Sequence, residues 1–178
     1  MVTLIARRKI AALADGIRSQ LELGVPVDVE AAVASLGGRI TEEDGFAFAA
    51  CVVKGPHADG SDFHIVVRPK AQHPQRFRFS VAHELGHLFL HMGYLIRPEA
   101  WARCGDYRDS VRFRSGYTAE ELAANEFAGV FLMPETEFCA ALDDAVTDEG
   151  LININKVAAV FDVSVSAAEY RGRRLGIF

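Results

Sequence analysis

Apolar residues recur every three or four positions along most of the chain, which is the period of amphipathic helices. Gly24, Gly93 and Pro134 follow three of these periodic stretches and are typical stop signals. A proline at position 74 suits the first turn of another helix. The predicted helices cover residues 3–23, 28–36, 74–91, 119–133 and 135–145, and two short helices lie within 151–176, joined by Asp162-Val163-Ser164.

Shorter β-like runs lie between the second and third predicted helices. They fall around Ile40, over residues 46–53 and over residues 63–67, and turn residues such as Glu43-Asp44-Gly45 separate them. We therefore expect an α+β fold, mostly helical, with a small N-terminal β-sheet.

Residues 94–118 break this regular pattern. They combine mixed charge and several arginines with no clean period, so they are predicted to be a loop. A loop of more than ~15 residues inside a compact domain is usually functional or mobile.

Length and charge narrow the class of protein. The 178 residues suit one compact domain with room for a small appendage, and a net charge of −5 does not favour binding to nucleic acid or to an anionic membrane. No apolar run approaches the ~18 residues of a membrane helix. Arg7, Arg8 and Lys9 interrupt the apolar residues of the N-terminus, unlike a signal peptide. Three dispersed cysteines indicate no disulfide framework, so we expect a cytoplasmic protein.

The motif His83-Glu84-Leu85-Gly86-His87 lies inside the predicted helix 74–91. Two histidines four residues apart project from one face of a helix and can bind one ion. Glu84 then lies beside that ion, in the position of a general base. Because the flanking residues are apolar, a buried active-site helix is favoured over a solvated surface helix. The motif predicts a metallopeptidase.

A catalytic zinc site needs a third protein ligand and an open position for water. His91 lies eight residues after His83, ~12 Å along the axis, which is too far for three consecutive turns to converge on one ion. Glu121, four residues before Asn125, is a better candidate, although Thr118 and Glu121 also fit a capping box. Glu120 and Glu126 are further alternatives, and spacing alone does not choose among them. Two histidines and a carboxylate suit zinc but also admit manganese or iron.

Three segments resemble the ImmA/IrrE-type metallopeptidases of bacteria, phages and mobile elements. RFRFSVAHELGHLFLH at 76–91 is similar to the active-site helix of that family, and EELAANEFAGVFLMP at 120–134 to its second helix. VAAVFDVSVSAAEYRGRRLG at the C-terminal end is similar to a helix-turn-helix-like tail. The resemblance spans residues 60–178. One departure is Ala123, where the family often carries an acid, although this is not the ligand position.

The resemblance implies that Glu121 is the third metal ligand beside His83 and His87, and that Glu84 is catalytic. It also implies a gluzincin-like metallopeptidase domain over residues 1–146, with a helix-turn-helix-like extension over 147–178 packed on it. The implied cofactor is one divalent metal ion, with zinc expected first. The implied substrate is a helix-turn-helix transcriptional repressor, whose cleavage derepresses stress, prophage or mobile-element genes.

A non-proteolytic anti-repressor or protein-binding module of the same fold is the alternative function. Direct DNA binding is not expected, because residues 151–178 carry four basic and two acidic side chains and so show no strong basic stripe. An extended substrate would add to an edge strand, for which residues 63–67 are the candidate, although an internal strand is an equal alternative. Oxyanion donors stay open; the candidates are Tyr117, Tyr107, His64 and His73.

Overall fold

The computed structural model describes residues 3–45, 49–105 and 118–178. Within these ranges the chain forms α-helices, one π-helical turn and a small sheet. In chain order the elements are α1 (Leu4–Gln20), α2 (Val29–Ser35), β1 (Gly38–Glu42), β2 (Ala50–Lys54), β3 (Phe63–Val67), α3 (Pro74–His87), the π turn (Leu88–Met92), α4 (Pro98–Arg103), α5 (Ala119–Leu132), α6 (Glu135–Asp143), α7 (Ile154–Phe161) and α8 (Val165–Leu175).

Local chemistry explains where most of these helices begin. The free N–H groups of a first helical turn need acceptors, which short polar side chains supply. At the start of α1, α2, α5, α7 and α8, a backbone N–H group donates to the side-chain oxygen of the capping residue. These residues are Thr3, Asp28, Thr118, Asn153 and Ser164, respectively. At α3, Pro74 stands in the first turn, as predicted.

The three strands form one mixed sheet in the order β1-β3-β2. The central strand β3 pairs in parallel with β1 and antiparallel with β2, so that Ile65 lies between Ile40 and Val52. Of the two alternatives for residues 63–67, the internal strand is therefore confirmed and the edge strand is wrong. Both sides of β3 are already paired, and an extended substrate has no place to add to it.

Part of the predicted loop at 94–118 is also helical. Pro98 begins the short helix α4, and Glu99 lies in its first turn, where a carboxylate is favourable. The prediction of a loop is wrong for this segment. Its remainder, 106–117, lies outside the described residues, as do residues 46–48 of the second predicted strand.

The helices α3 and α5 pack against each other more extensively than any other pair of elements described, and they form the centre of the fold. Gly86 lies where the two backbones come close together: a Cβ atom there would be 3.0 Å from the Cα atom and 3.1 Å from the carbonyl oxygen of Ala124. Around this contact Leu85, Leu88, Phe127 and other apolar side chains are fully buried. Glycine lets the two backbones come this close because it has no side chain.

Buried arginines hold the ends of helices in place. The Arg18 guanidinium donates to the carbonyl of Phe131 at 2.8 Å, and Arg171 donates to the carbonyl of Met133 at 2.9 Å. Both carbonyls lie at the C-terminal end of α5, where a positive charge is favourable. This end of α5 is therefore tied to α1 on one side and to α8 on the other.

The C-terminal pair α7 and α8 packs on the rest of the chain. Val157, Phe161 and Ala168 are buried in the same apolar cluster as α3 and α5. The Arg78 side chain of α3 also donates to the carbonyl of Asp162 at 3.0 Å. A division of the chain at residues 146 and 147 stays a prediction. None of the helices within the described ranges has the length and apolarity needed to cross a lipid bilayer.

The substitution Gly86→Ala tests the close approach of α3 and α5. The added methyl group meets the backbone of Ala124, which cannot move aside without shifting the helix. We expect a loss of about 1–3 kcal/mol in the free energy of unfolding, as is typical of an overpacked core. Urea denaturation followed by circular dichroism measures it.

Gly16→Ala is the matched control, because a Cβ atom at this exposed helical glycine meets nothing within 4 Å. It should leave stability unchanged or raise it by up to about 1 kcal/mol. Equal stability of the Gly86→Ala and Gly16→Ala variants would contradict the tight contact.

Candidate metal centre

The helix α3 places two histidines and a glutamate of the predicted motif on its inner side. His83 and His87 are one turn apart, and their ring centroids are 4.7 Å apart. Their Nε2 atoms face each other at 2.9 Å. The His87 side chain is completely buried, whereas His83 keeps 13% of its surface exposed. The site is thus open to solvent on the His83 side.

The helix α5 brings Glu121 to the same point. The Glu121 Oε2 atom lies 3.3 Å from His83 Nε2, and Oε1 lies 3.3 Å from His87 Nε2. The Glu121 backbone N–H donates to Thr118 Oγ1 at 3.2 Å, as in a capping box. Its carboxylate, however, contacts the two imidazoles. The bond from the Glu121 backbone to Thr118 therefore forms as in a capping box, whereas the Glu121 side chain takes part in the cluster with His83 and His87.

The other two candidate acids are placed differently. Glu120 is on the exposed side of α5. Glu126 is buried and accepts a bond from Arg174 Nε at 2.9 Å, so it is paired with α8. Within the described residues, His83, His87 and Glu121 are the group whose donor atoms meet closely enough to hold one metal ion.

The donor set fits a metal ion in both kind and spacing. Two imidazole nitrogens and one carboxylate oxygen are the ligands of many catalytic zinc sites. Donors bound at ~2.1 Å in a tetrahedral arrangement lie roughly 3.4 Å apart. The observed separations of 2.9 and 3.3 Å are close to this value. Two facing Nε2 atoms beside a carboxylate form an arrangement that a cation between them stabilises.

The outer nitrogens of both rings have partners that fix the ring orientation. The Asn125 side-chain oxygen lies 3.0 Å from His83 Nδ1 and can accept its proton. His91 Nδ1 lies 2.9 Å from His87 Nδ1. A proton on each ligand Nδ1 leaves Nε2 with a free lone pair, which is the form that binds metal. Asn125 and His91 thus occupy supporting positions behind the two imidazoles.

Glu84 is buried next to this group, with 2% of its surface exposed. Its Oε2 atom has no hydrogen-bond partner. Burial raises the pKa of the Glu84 carboxyl to about 7. By contrast, the hydrogen bonds from His83 and His87 hold the pKa of Glu121 well below its usual range. The two acids differ in role: Glu121 stays ionised beside the imidazoles, and Glu84 can exchange a proton near neutral pH.

Of the four candidate oxyanion donors, His64 and His73 lie within the described residues. Tyr107 and Tyr117 lie outside the described residues. His64 lies 3.2 Å from an Asp59 oxygen and stacks on His57, with ring centroids 3.7 Å apart. His73 is an exposed residue at the start of α3.

An apolar cavity, which the sequence alone does not predict, lies beside this centre. Phe79, Leu122 and Gly129 are among its lining residues, together with residues of α8. Gly129 is the one signal of this cavity in the sequence. A glycine in the interior of a helix such as α5 is unfavourable by ~1 kcal/mol relative to alanine, so its presence there indicates a special need for space.

Comparisons with known proteins give one matching family model and a similar fold. Residues 52–172 match the family model Peptidase_M78, described as the IrrE N-terminal-like domain. No curated protein matches the chain. Among solved structures, a Mycobacterium tuberculosis transcriptional regulator is similar in fold, with a TM-score of 0.58 and 20% sequence identity. The match covers 92% of this chain and 46% of the regulator, so the chain spans about half the length of that protein.

The substitution Glu121→Gln tests whether this carboxylate binds metal. An amide is a much weaker zinc ligand, so zinc affinity should fall by more than about 100-fold, since outer contacts alone are worth 10–100-fold. Competition with a chromophoric chelator measures the affinity. Glu120→Gln removes the same charge one residue away and should have a far smaller effect. Equal losses in the two variants would show that Glu121 acts only through its charge.

Proposed function

Since the chain belongs to the Peptidase_M78 family, that of the IrrE N-terminal-like domain, we propose that it is a metal-dependent endopeptidase acting on a protein substrate. The observation that carries this proposal is the meeting of His83, His87 and Glu121 beside a buried acid, Glu84, that has an unpaired oxygen. A site that only bound metal for stability would have no use for the unpaired acid.

His83, His87 and Glu121 would hold one divalent ion, zinc first and manganese as the alternative. Such an ion, when bound, supplies Lewis-acid polarisation of a water molecule and of the scissile carbonyl group. Asn125 and His91 keep the two rings in the tautomer that presents Nε2 to the ion. The exposed edge of His83 leaves room for water and substrate on one side of the site.

Glu84 carries the protons of the reaction. Its Oε2 accepts a proton from the attacking water as the water oxygen bonds to the carbonyl carbon. It then delivers that proton to the amine nitrogen as the carbon–nitrogen bond breaks. Burial raises the pKa of the Glu84 carboxyl and so makes it a better proton acceptor, and its unpaired Oε2 atom is available for the transfer.

The substrate that we propose is a helix-turn-helix transcriptional repressor. This rests on the resemblance to ImmA/IrrE-type peptidases and on the likeness in fold to a protein described as a transcriptional regulator. In the same proposal the fold is gluzincin-like, residues 1–146 form the peptidase domain, and residues 147–178 form a helix-turn-helix-like extension. The extension would contact protein rather than DNA, because its four basic and four acidic side chains leave it with no net charge.

The substitution Glu84→Gln tests the mechanism. The amide cannot accept the proton from water, so cleavage should fall by at least ~100-fold. Zinc affinity should stay close to that of the wild type, because Glu84 is not a ligand. The measurements are chelator competition and gel electrophoresis of a purified helix-turn-helix repressor encoded beside the gene, incubated with and without a chelator.

Glu99→Gln, an exposed change in α4, is the control and should cleave like the wild type. Repressor fragments produced equally well by the Glu84→Gln variant would refute the proposed proton carrier. A stable, uncut complex with the wild-type protein would instead favour the anti-repressor alternative.

A further inference from the structure

A cavity of about 780 Å³ lies between the start of α3, one side of α5 and the start of α8. Its wall is mainly apolar and includes Phe79 from α3, Leu122 and Gly129 from α5, and Ala167 and Tyr170 from α8. The volume falls within the range of ~300–1,000 Å³ that is usual for ligand sites, so it has room for more than one side chain.

This cavity adjoins the candidate metal centre through Asn125. Asn125 lines the cavity and also holds His83 through the 3.0 Å contact with its Nδ1 atom. Phe79 lies four residues before His83, so the two side chains share one face of α3. Leu122 directly follows Glu121. A chain bound across the metal centre would therefore pass the mouth of the cavity.

Gly129 leaves part of this space open. A Cβ atom at this position meets no heavy atom within 4 Å, although the residue itself is buried. The same helix packs tightly against Gly86 on another side. The space beside Gly129 therefore comes from the missing side chain, not from loose packing of α5.

The wall contributed by α8 is held in a fixed position. The Arg174 guanidinium lies 5.7 Å from the centre of the Tyr170 ring. Its Nε atom donates at 2.9 Å to Glu126, which is buried on α5. This chain of contacts joins α8 to α5, so the cavity is formed before any ligand arrives.

The position of α8 indicates what kind of ligand enters. In DNA-binding helix-turn-helix proteins, the first residues of the second helix contact base edges. Here Ser164, Ser166 and Ala167, at the start of α8, line the cavity. Among the lining residues described, Arg76 alone carries a full charge at neutral pH, which suits an apolar ligand and not a polyanion.

We infer that this cavity binds an apolar stretch of the polypeptide that the metal centre cleaves, and that α8 thereby selects the substrate. The inference rests on the proposed peptidase function and adds the chemical class of the residues near the cut. The selected sequence carries large apolar side chains, such as leucine or phenylalanine, at a fixed distance from the scissile bond.

The test uses the zinc-loaded protein and a proteome-derived peptide library, with cleavage sites mapped by mass spectrometry. The wild type should show a strong preference for large apolar residues at one fixed position. Gly129→Leu fills the cavity, so kcat/KM for the preferred peptides should fall by about 10–100-fold, the usual discrimination of an apolar pocket. Gly16→Leu, the same change at an exposed glycine of α1, should match the wild type. Zinc affinity should be equal in all three proteins.

A readout that needs no cleavage uses the zinc-loaded Glu84→Gln variant. Titration with N-acetyl-leucyl-leucinamide should shift the amide signals of Gly129 and Ala167 in ¹H–¹⁵N spectra, and adding Gly129→Leu should abolish these shifts. Unchanged signals would mean that the cavity is closed to such ligands or filled by the chain itself. Salt-sensitive shifts of the α8 amides by duplex DNA would assign α8 to DNA. Either result would overturn the inference.

The two proposals fail in different ways. Cleavage without a fixed apolar preference, or with a preference that Gly129→Leu retains, would overturn the role of the cavity and leave the peptidase function standing. Absence of any cleavage by the zinc-loaded wild type would contradict the peptidase function itself.

Discussion

The approach of α3 to α5 at Gly86 is the constraint on which the rest of the site depends. At this point the two backbones are so close that a methyl group would lie 3.0 Å from the Cα atom of Ala124. His87 follows Gly86 directly, and Glu121 lies one turn before Ala124. The short carboxylate can therefore reach both imidazoles, and a wider separation of the helices would break this contact. Arg18 and Arg171 fix the other end of α5 through hydrogen bonds to its last carbonyl groups.

The polar groups at this contact are costly for the fold. Two imidazoles and two carboxylates are gathered in a largely apolar interior, where one carboxylate oxygen, that of Glu84, has no partner. Such an arrangement opposes stability unless a cation compensates for it. We infer that a reactive site requires this loss of stability. If neighbouring donors occupied both oxygens of Glu84, the carboxylate would be unable to take a proton from water.

The sequence predicts much of this arrangement, but two features, the place of β3 in the sheet and the role of Glu121, depend on long-range packing. The spacing of His83 and His87 predicts a shared helix face, and residues 63–67 form the strand that their composition indicates. The position of that strand at the centre of the sheet depends on long-range pairing with β1 and β2, which local pattern does not encode. In the sequence Glu121 fits two roles, because it lies three residues after Thr118, as in a capping box, and four residues before Asn125, as in the proposed ligand pair. Only the packing of α5 on α3 separates them.

The metal site is tested most directly by a crystal structure of the zinc-loaded protein with anomalous diffraction at the zinc edge. We expect one strong anomalous peak at ~2.1 Å from His83 Nε2, His87 Nε2 and a Glu121 carboxylate oxygen, with an open fourth position. Glu84 should lie beside the ion without binding it. A peak elsewhere, or an ion bound through Glu84 or His91 in place of Glu121, would show that these three residues do not form the metal site.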